Sequence, residues 1–175
     1  MIPSIQTITA EITKNLTGVF FDIDDTFTTF GKIRSVAFQA LWDLKDSGLK
    51  VIPITGRPAG WCDHIARMWP VDGIIGENGA FYFWFDEEDH KLKKRFLDSD
   101  EVRAEKRLRL SRIRDEILIK IPGTGIASDQ LYRETDVAID YCEDVKPLNR
   151  DAVEQICEIF TKHGATCKVS SIHVN

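Results

Sequence analysis

At 175 residues the chain suits one domain, or a small domain carrying an insert, and is long enough to bury a core. Hydrophobic residues make up 43% and charged residues 29%, an ordinary balance for a soluble globular protein. The net charge of −5 argues against nucleic acid as a partner, because a phosphate backbone demands a basic face.

The N-terminus, MIPSIQTITAEITKN, lacks the basic start and apolar block of a signal peptide. Residues 3–15 instead space Ile5, Ile8 and Ile12 for a short amphipathic helix. Residues 18–23 read as a strand. Residues 35–47 place Val36, Ala40, Leu41 and Leu44 on one helical face, with Gly48 as a stop. A second strand over 49–54 runs into Thr55-Gly56-Arg57-Pro58, and the proline suits the first turn of a helix over 59–69. Residues 73–75 read as a third short strand. Strand and helix alternate this far, which implies parallel strands and right-handed crossovers.

Near residue 80 the pattern changes. Residues 80–85 (AFYFWF) form an aromatic strand, 86–90 a polar turn, and 92–97 its hairpin mate. Residues 100–120 are charge-rich, with Leu110, Ile113, Ile117 and Ile121 at helical spacing, the mark of an amphipathic helix with a solvated face. Residues 122–125 break it. A strand follows over 136–141, then a helix over 149–163 between a capping Asn149 and Gly164. Residues 165–170 and 171–174 read as closing strands. The second half forms an α+β layer of its own. No apolar stretch reaches membrane-spanning length. The four cysteines, Cys62, Cys142, Cys157 and Cys167, show no C-x-x-C spacing, which argues against zinc and fits a reducing cytoplasmic setting.

The chemistry concentrates in GVFFDIDDT, residues 18–26. An apolar strand runs into Asp22, Asp24 and Asp25, and crowded carboxylates cost stability unless a cation or paired donors sit among them. Acidic residues also end strands and cap helices, so this stretch alone leaves both readings open. In an open parallel sheet, ligands bind outside the carboxyl ends of the strands. Three loops meet there: 22–26, 55–58 and 76–79. Asp22 offers a nucleophile or metal ligand, Asp24 a proton for a leaving oxygen, and Thr55 a hydroxyl beside backbone N–H groups that suit an anion. Carboxylates and anion donors in one crevice make sense if Mg²⁺ bridges carboxylate to phosphate.

These motifs resemble the haloacid dehalogenase-like superfamily, in its phosphatase branch. FFDIDDT matches the first motif, D-x-D-x-T after an apolar strand, and PITGR the second, about thirty residues later. GIIGENGAFYF resembles the stretch that leads into the large cap of the Cof-like, sugar-phosphatase-like subgroup. The resemblance implies an α/β, Rossmann-like parallel core in residues 1–82 and an α+β cap in residues 83–175. It implies a Mg²⁺-dependent phosphohydrolase acting on a small phosphorylated metabolite, a sugar phosphate by subgroup. Asp22 would attack phosphorus and form an aspartyl-phosphate. Asp24 would protonate the leaving alcohol and then activate water. Asp22 and the Asp24 carbonyl would hold the metal. Thr55 and Gly56 would bind phosphoryl oxygens, Arg57 would add charge, and Asn78 would face substrate.

The family pattern continues past the cap with a lysine and an acidic pair. Lys168, Asp140, Glu143 and Asp144 do not match those positions. Without its later neighbours the first strand lies at an edge, open to self-association or to a partner that completes the sheet. The alternative function is a non-catalytic or truncated fragment of this family that acts as a binding, regulatory or partner-dependent subunit. A phospho-acceptor receiver domain fits less well, since it needs an aspartate after the third strand and this chain has GENG. Trp61, His64 and Trp69 on the helix after TGRP suit packing better than ligation. The aromatic run 81–85 suits hairpin core, since no basic residues interleave it.

Overall fold

The computed structural model describes Thr7 and residues 9–175. The chain divides into two units. The first runs to Arg57 and again from Cys62 to Arg95; the second comprises Pro58–Trp61 and Phe96–Asn175. The boundary expected at 82/83 falls within a strand, Phe81–Asp86.

The first unit is an α/β layer on one sheet. Its strands are β1 (Gly18–Asp22), β2 (Lys50–Ile54), β3 (Ile74–Gly76), β4 (Phe81–Asp86) and β5 (Lys91–Phe96), in that spatial order. β1, β2 and β3 are parallel, and β4 turns back antiparallel to β3. Between them lie helices α2 (Ser35–Asp46) and α3 (Ala59–Met68). Of the helix expected over 3–15, only α1 (Ala10–Thr13) is described; its remainder reaches into residues outside the described set.

The strand order explains the layering. Each crossover moves one strand in the same direction, and right-handed crossovers of one direction put their helices on one face. Val51, Ile74, Phe81 and Phe83 are buried on that face, each contributing about 1.5–3 kcal/mol. Phe21 meets Phe27, Phe27 meets Trp69, and Trp69 meets Phe38 of α2 in a chain of ring contacts at 5.2, 5.6 and 5.8 Å. Gly76 is required by close approach, since a Cβ there would lie 2.4 Å from the Phe81 ring and 2.6 Å from the Cys62 sulfur.

Among the described residues no crossover helix lies on the opposite face. Asp22, Ile54, Ile75 and Tyr82 stand in register across it. Phe20 is 61% exposed there, Ile54 38% and Tyr82 45%. The two sheet edges also differ. β5 reads KLKKRF, and lysines blunt an edge against pairing. β1 reads GVFFD and carries no such protection.

The second unit packs α4 (Asp100–Lys120) and α5 (Arg150–Lys162) on a small antiparallel sheet, β6 (Gly125–Ile126), β7 (Ile139–Asp140) and β8 (His173–Val174). Its core joins Ile113, Ile117 and Ile121 to Ile139, Ile156, Phe160 and Val174. Ser99 caps α4 by accepting from the Val102 N–H, and Asn149 caps α5 by accepting from Ala152 N–H at 3.0 Å. Gly164, at φ 69°, ends α5 as expected.

Of three expected strands, two are cut short and one is lost, with side chains taking up the backbone hydrogen bonds. The strand predicted over 136–141 keeps only Ile139–Asp140. Gln130 substitutes for a neighbouring strand before it, accepting from Ala138 N–H and donating to the Asp136 carbonyl. After it, the Asp140 carboxylate accepts from the N–H groups of Cys142, Glu143 and Asp144 at 2.8–2.9 Å and turns the chain. The closing strands over 165–170 and 171–174 reduce to His173–Val174. The Ser170 hydroxyl accepts from the N–H groups of Ile172 and His173 and folds the chain into a tight turn.

Candidate active site

The site lies within the first unit, at the carboxyl ends of β1, β2 and β3. β1 ends at Asp22, whose carboxylate accepts from the Ile23 N–H at 2.9 Å. A wide turn, Ile23–Phe27, follows and is closed by Thr28 N–H donating to the Ile23 carbonyl at 2.9 Å. Asp25 holds a left-handed φ of 57° inside that turn, and its N–H donates to the Thr28 hydroxyl at 3.2 Å. Thr28 is therefore a loop organiser that the sequence reading missed. Thr26, the threonine of the motif, is exposed. Next, Thr29 and Lys32 exchange backbone hydrogen bonds around Phe30 and Gly31, both at positive φ, forming a two-residue turn that leaves Phe30 93% exposed.

β2 delivers Thr55, which is 2% exposed. Its N–H donates to the Ile75 carbonyl, and its hydroxyl oxygen accepts from Arg57 N–H at 3.0 Å. Arg57 turns back toward β1 and binds Asp24. Nε donates to both carboxylate oxygens at 3.2 and 3.0 Å, and Nη2 to Oδ1 at 2.8 Å. This bidentate grip is the geometry in which arginine recognises carboxylates and phosphates alike.

β3 leads into Glu77 and Asn78, at φ 43° and 57°, and then Gly79 at 101°. Consecutive left-handed residues of this kind cluster at functional sites. The loop is locked to the Thr55 loop: Glu77 N–H donates to the Arg57 carbonyl and Asn78 N–H to the Thr55 carbonyl, each at 3.2 Å. Gly56 lies so close to Asn78 that a Cβ would sit 3.2 Å from its Oδ1. Beneath the loop Cys62 is fully buried, and burial, reinforced by Glu77, pushes its thiol up to about 12.

The fold thus brings together all six residues expected from the sequence: Asp22, Asp24, Thr55, Gly56, Arg57 and Asn78. Trp69 belongs to the aromatic packing, while Trp61 and His64 are exposed. Asp140 lies in the second unit as a turn former, and Lys168 pairs with Asn175 through backbone bonds there. Among the described residues no three His, Cys, Asp or Glu side chains converge to hold a metal. A Mg²⁺ ion keeps several waters and takes phosphate oxygens, so it needs few protein ligands; Asp22 and the Asp24 carbonyl are the groups that would hold it.

A family model for haloacid dehalogenase-like hydrolases matches residues 19–112. The chain belongs to that family. Solved structures agree in fold. A Thermoplasma acidophilum protein superposes with a TM-score of 0.68 at 16% identity, over 91% of this chain and 64% of its own. The ATP-bound IMP-nucleotidase of Plasmodium falciparum gives 0.61 at 10% identity, over 93% of this chain and 46% of its own. A subclass IIB sugar phosphatase of the superfamily gives 0.52 at 17%, over 91% and 70%. The chain therefore spans less than two thirds of the first two proteins. No curated protein sequence matches it. Among the described residues no helix is long and apolar enough to cross a membrane.

Proposed function

We propose that this chain carries the nucleophile and phosphate-binding half of a phosphomonoester hydrolase. The observation that carries the reading is the convergence of Asp22, Asp24, Thr55 and Arg57 at the ends of two adjacent parallel strands. In this reading an Asp22 carboxylate oxygen forms a bond to phosphorus as the ester P–O bond breaks. The leaving oxygen takes its proton from Asp24. Water then attacks phosphorus, its proton passes to Asp24, and the bond to Asp22 breaks, so ester and water become alcohol and inorganic phosphate. Thr55 and the N–H groups near Gly56 bind the phosphoryl oxygens, and Asn78 faces the remainder of the substrate. Bound Mg²⁺, held by Asp22 and the Asp24 carbonyl, would neutralise phosphoryl charge.

The Arg57–Asp24 pair adds a step. Asp24 must leave the guanidinium before it can deliver a proton, and a phosphate dianion is the natural competitor for that fork. Substrate binding would thus free the acid–base group.

The substrate we propose is a sugar phosphate or a similar small metabolite, supported by the likeness in fold to the subclass IIB sugar phosphatase. We propose a cytoplasmic setting, which the scattered spacing of the four cysteines supports. The test is release of inorganic phosphate from a panel of sugar phosphates, with Mg²⁺ and with chelator. Turnover that needs the metal supports the reading.

The bare sheet face favours a second reading, in which the chain works as a subunit. Phe20 and the unprotected β1 edge would then be covered by a second copy or by a partner that completes the sheet. No turnover by the chain alone, with turnover restored by a binding partner, would select it.

A further inference from the structure

The second unit holds a cavity of about 150 Å³ that the hydrolase reading does not use. One wall is a single face of α4, where Arg107, Ser111 and Arg114 follow at intervals of four and three residues. Leu110 and Val137 supply apolar floor, and Arg133 closes the base. The volume suits a molecule the size of a six-membered ring.

The charges are unevenly committed. Arg133 is held flat by two carboxylates: Nε and Nη2 donate to Asp129 at 3.0 and 3.1 Å, and Nη1 donates to Asp136 at 3.0 Å. Of the two acidic residues that line the cavity, Asp136 is thus taken by Arg133, and Glu134 lies 4.0 Å from Arg103. Arg114 pairs with its chain neighbour Asp115 at 2.7 Å. Arg107 has no carboxylate partner among the described residues. The Ser111 hydroxyl, 3.0 Å from the Arg107 carbonyl, spends its proton there. Within a chain of net charge −5, this leaves a small concave site in which Arg107 is the lining guanidinium not paired with a carboxylate among the described residues.

We propose that this cavity binds a small oxyanion, a phosphate or a carboxylate, between the guanidinium groups of Arg107 and Arg114. Guanidinium forks match the planar carboxylate and the phosphate face, and a half-enclosed cavity strengthens the charge-assisted bonds they make. The apolar floor leaves room for a short carbon skeleton on the anion. The site is independent of the Asp22 loop, because every residue that forms it belongs to the second unit.

The test uses the full chain labelled with ¹⁵N and titrated separately with inorganic phosphate and with succinate. Amide and arginine Nε–H resonances of 107–114 and 130–137 should shift saturably with at least one of the two, and whichever binds tighter identifies the anion. Arg107→Gln should weaken that binding by about tenfold or more. Arg112→Gln removes the same charge from the same helix, outside the cavity, and should leave binding unchanged. Both arginines are exposed, so neither variant threatens folding. Absence of a saturable shift with either anion, or equal weakening by the two variants, overturns the proposal; the latter would mean a diffuse field and no site.

Discussion

Arg57 grips Asp24 across the ends of two parallel strands, donating from both Nε and Nη2 to a residue 33 positions earlier in the chain. The pair ties the loop after β1 to the loop after β2. It is partly exposed, and such a pair contributes at most about 1 kcal/mol to stability. Its larger consequence, in the proposed mechanism, would be chemical, because one guanidinium would serve either the Asp24 carboxylate or an incoming phosphate.

Arg57→Gln should therefore act on binding more than on folding. We expect KM for a cleaved phosphate monoester to rise about tenfold, with a stability loss of no more than about 1 kcal/mol. Steady-state kinetics beside urea denaturation checks both. An unchanged KM would remove Arg57 from the phosphate site.

Asp22→Asn removes the proposed nucleophile while keeping the side chain's shape and its hydrogen bond to Ile23. Turnover should fall by about a thousandfold or more, with an unchanged circular dichroism spectrum. Retained phosphate release would exclude Asp22 from that role.

Cys62 should be inert to thiol reagents in the native state, and its burial gives a pH signature. Its folded value, near 12, lies above the ordinary 9.0. The neutral thiol is favoured in the fold, so its contribution is intact below pH 9 and is lost as pH rises toward 12. Chemical denaturation between those limits should show stability falling, and Cys62→Ala should flatten that fall.

Glu116 ties α4 to α5. It accepts from Lys120 and Lys162 at 2.8 Å and meets His163 Nε2 at 2.6 Å. These partners, Lys120 first, hold its carboxyl well below the ordinary value. A depressed carboxyl stabilises above its unfolded value, and the contribution is lost as pH falls through the folded one. Glu116→Gln should flatten the acid limb of the stability profile, read by denaturation at a series of acidic pH values.

Phe20→Lys places a charge on the bare face of the first unit. Sedimentation velocity over a concentration series should show less self-association than in the parent chain. Equal association in both would place any contact elsewhere.

Much of the fold was legible because its signals are local. The VFF and VIPI runs, the helix over 35–47, the Asn149 cap and the Gly164 stop each depend on residues a few positions apart. The candidate site was legible for the same reason, since D-x-D-x-T and TGR stand at strand ends that any parallel sheet brings together. What failed to show were events decided by single side chains reaching across the chain. Gln130 replacing a strand beside Ala138, Asp140 gathering three N–H groups, and Ser170 folding the terminus into a turn have no periodicity to read.

By itself, then, the order of residues determined that a parallel α/β layer ends in carboxylates, a threonine and an arginine, because apolar period and turn chemistry act over short distances. Tertiary structure decided that Arg57 holds Asp24, that Thr28 rather than Thr26 braces the loop, and that Phe20, Ile54 and Tyr82 stay exposed on one sheet face. Those outcomes depend on strand order and crossover hand, which place distant residues side by side and which no local pattern encodes.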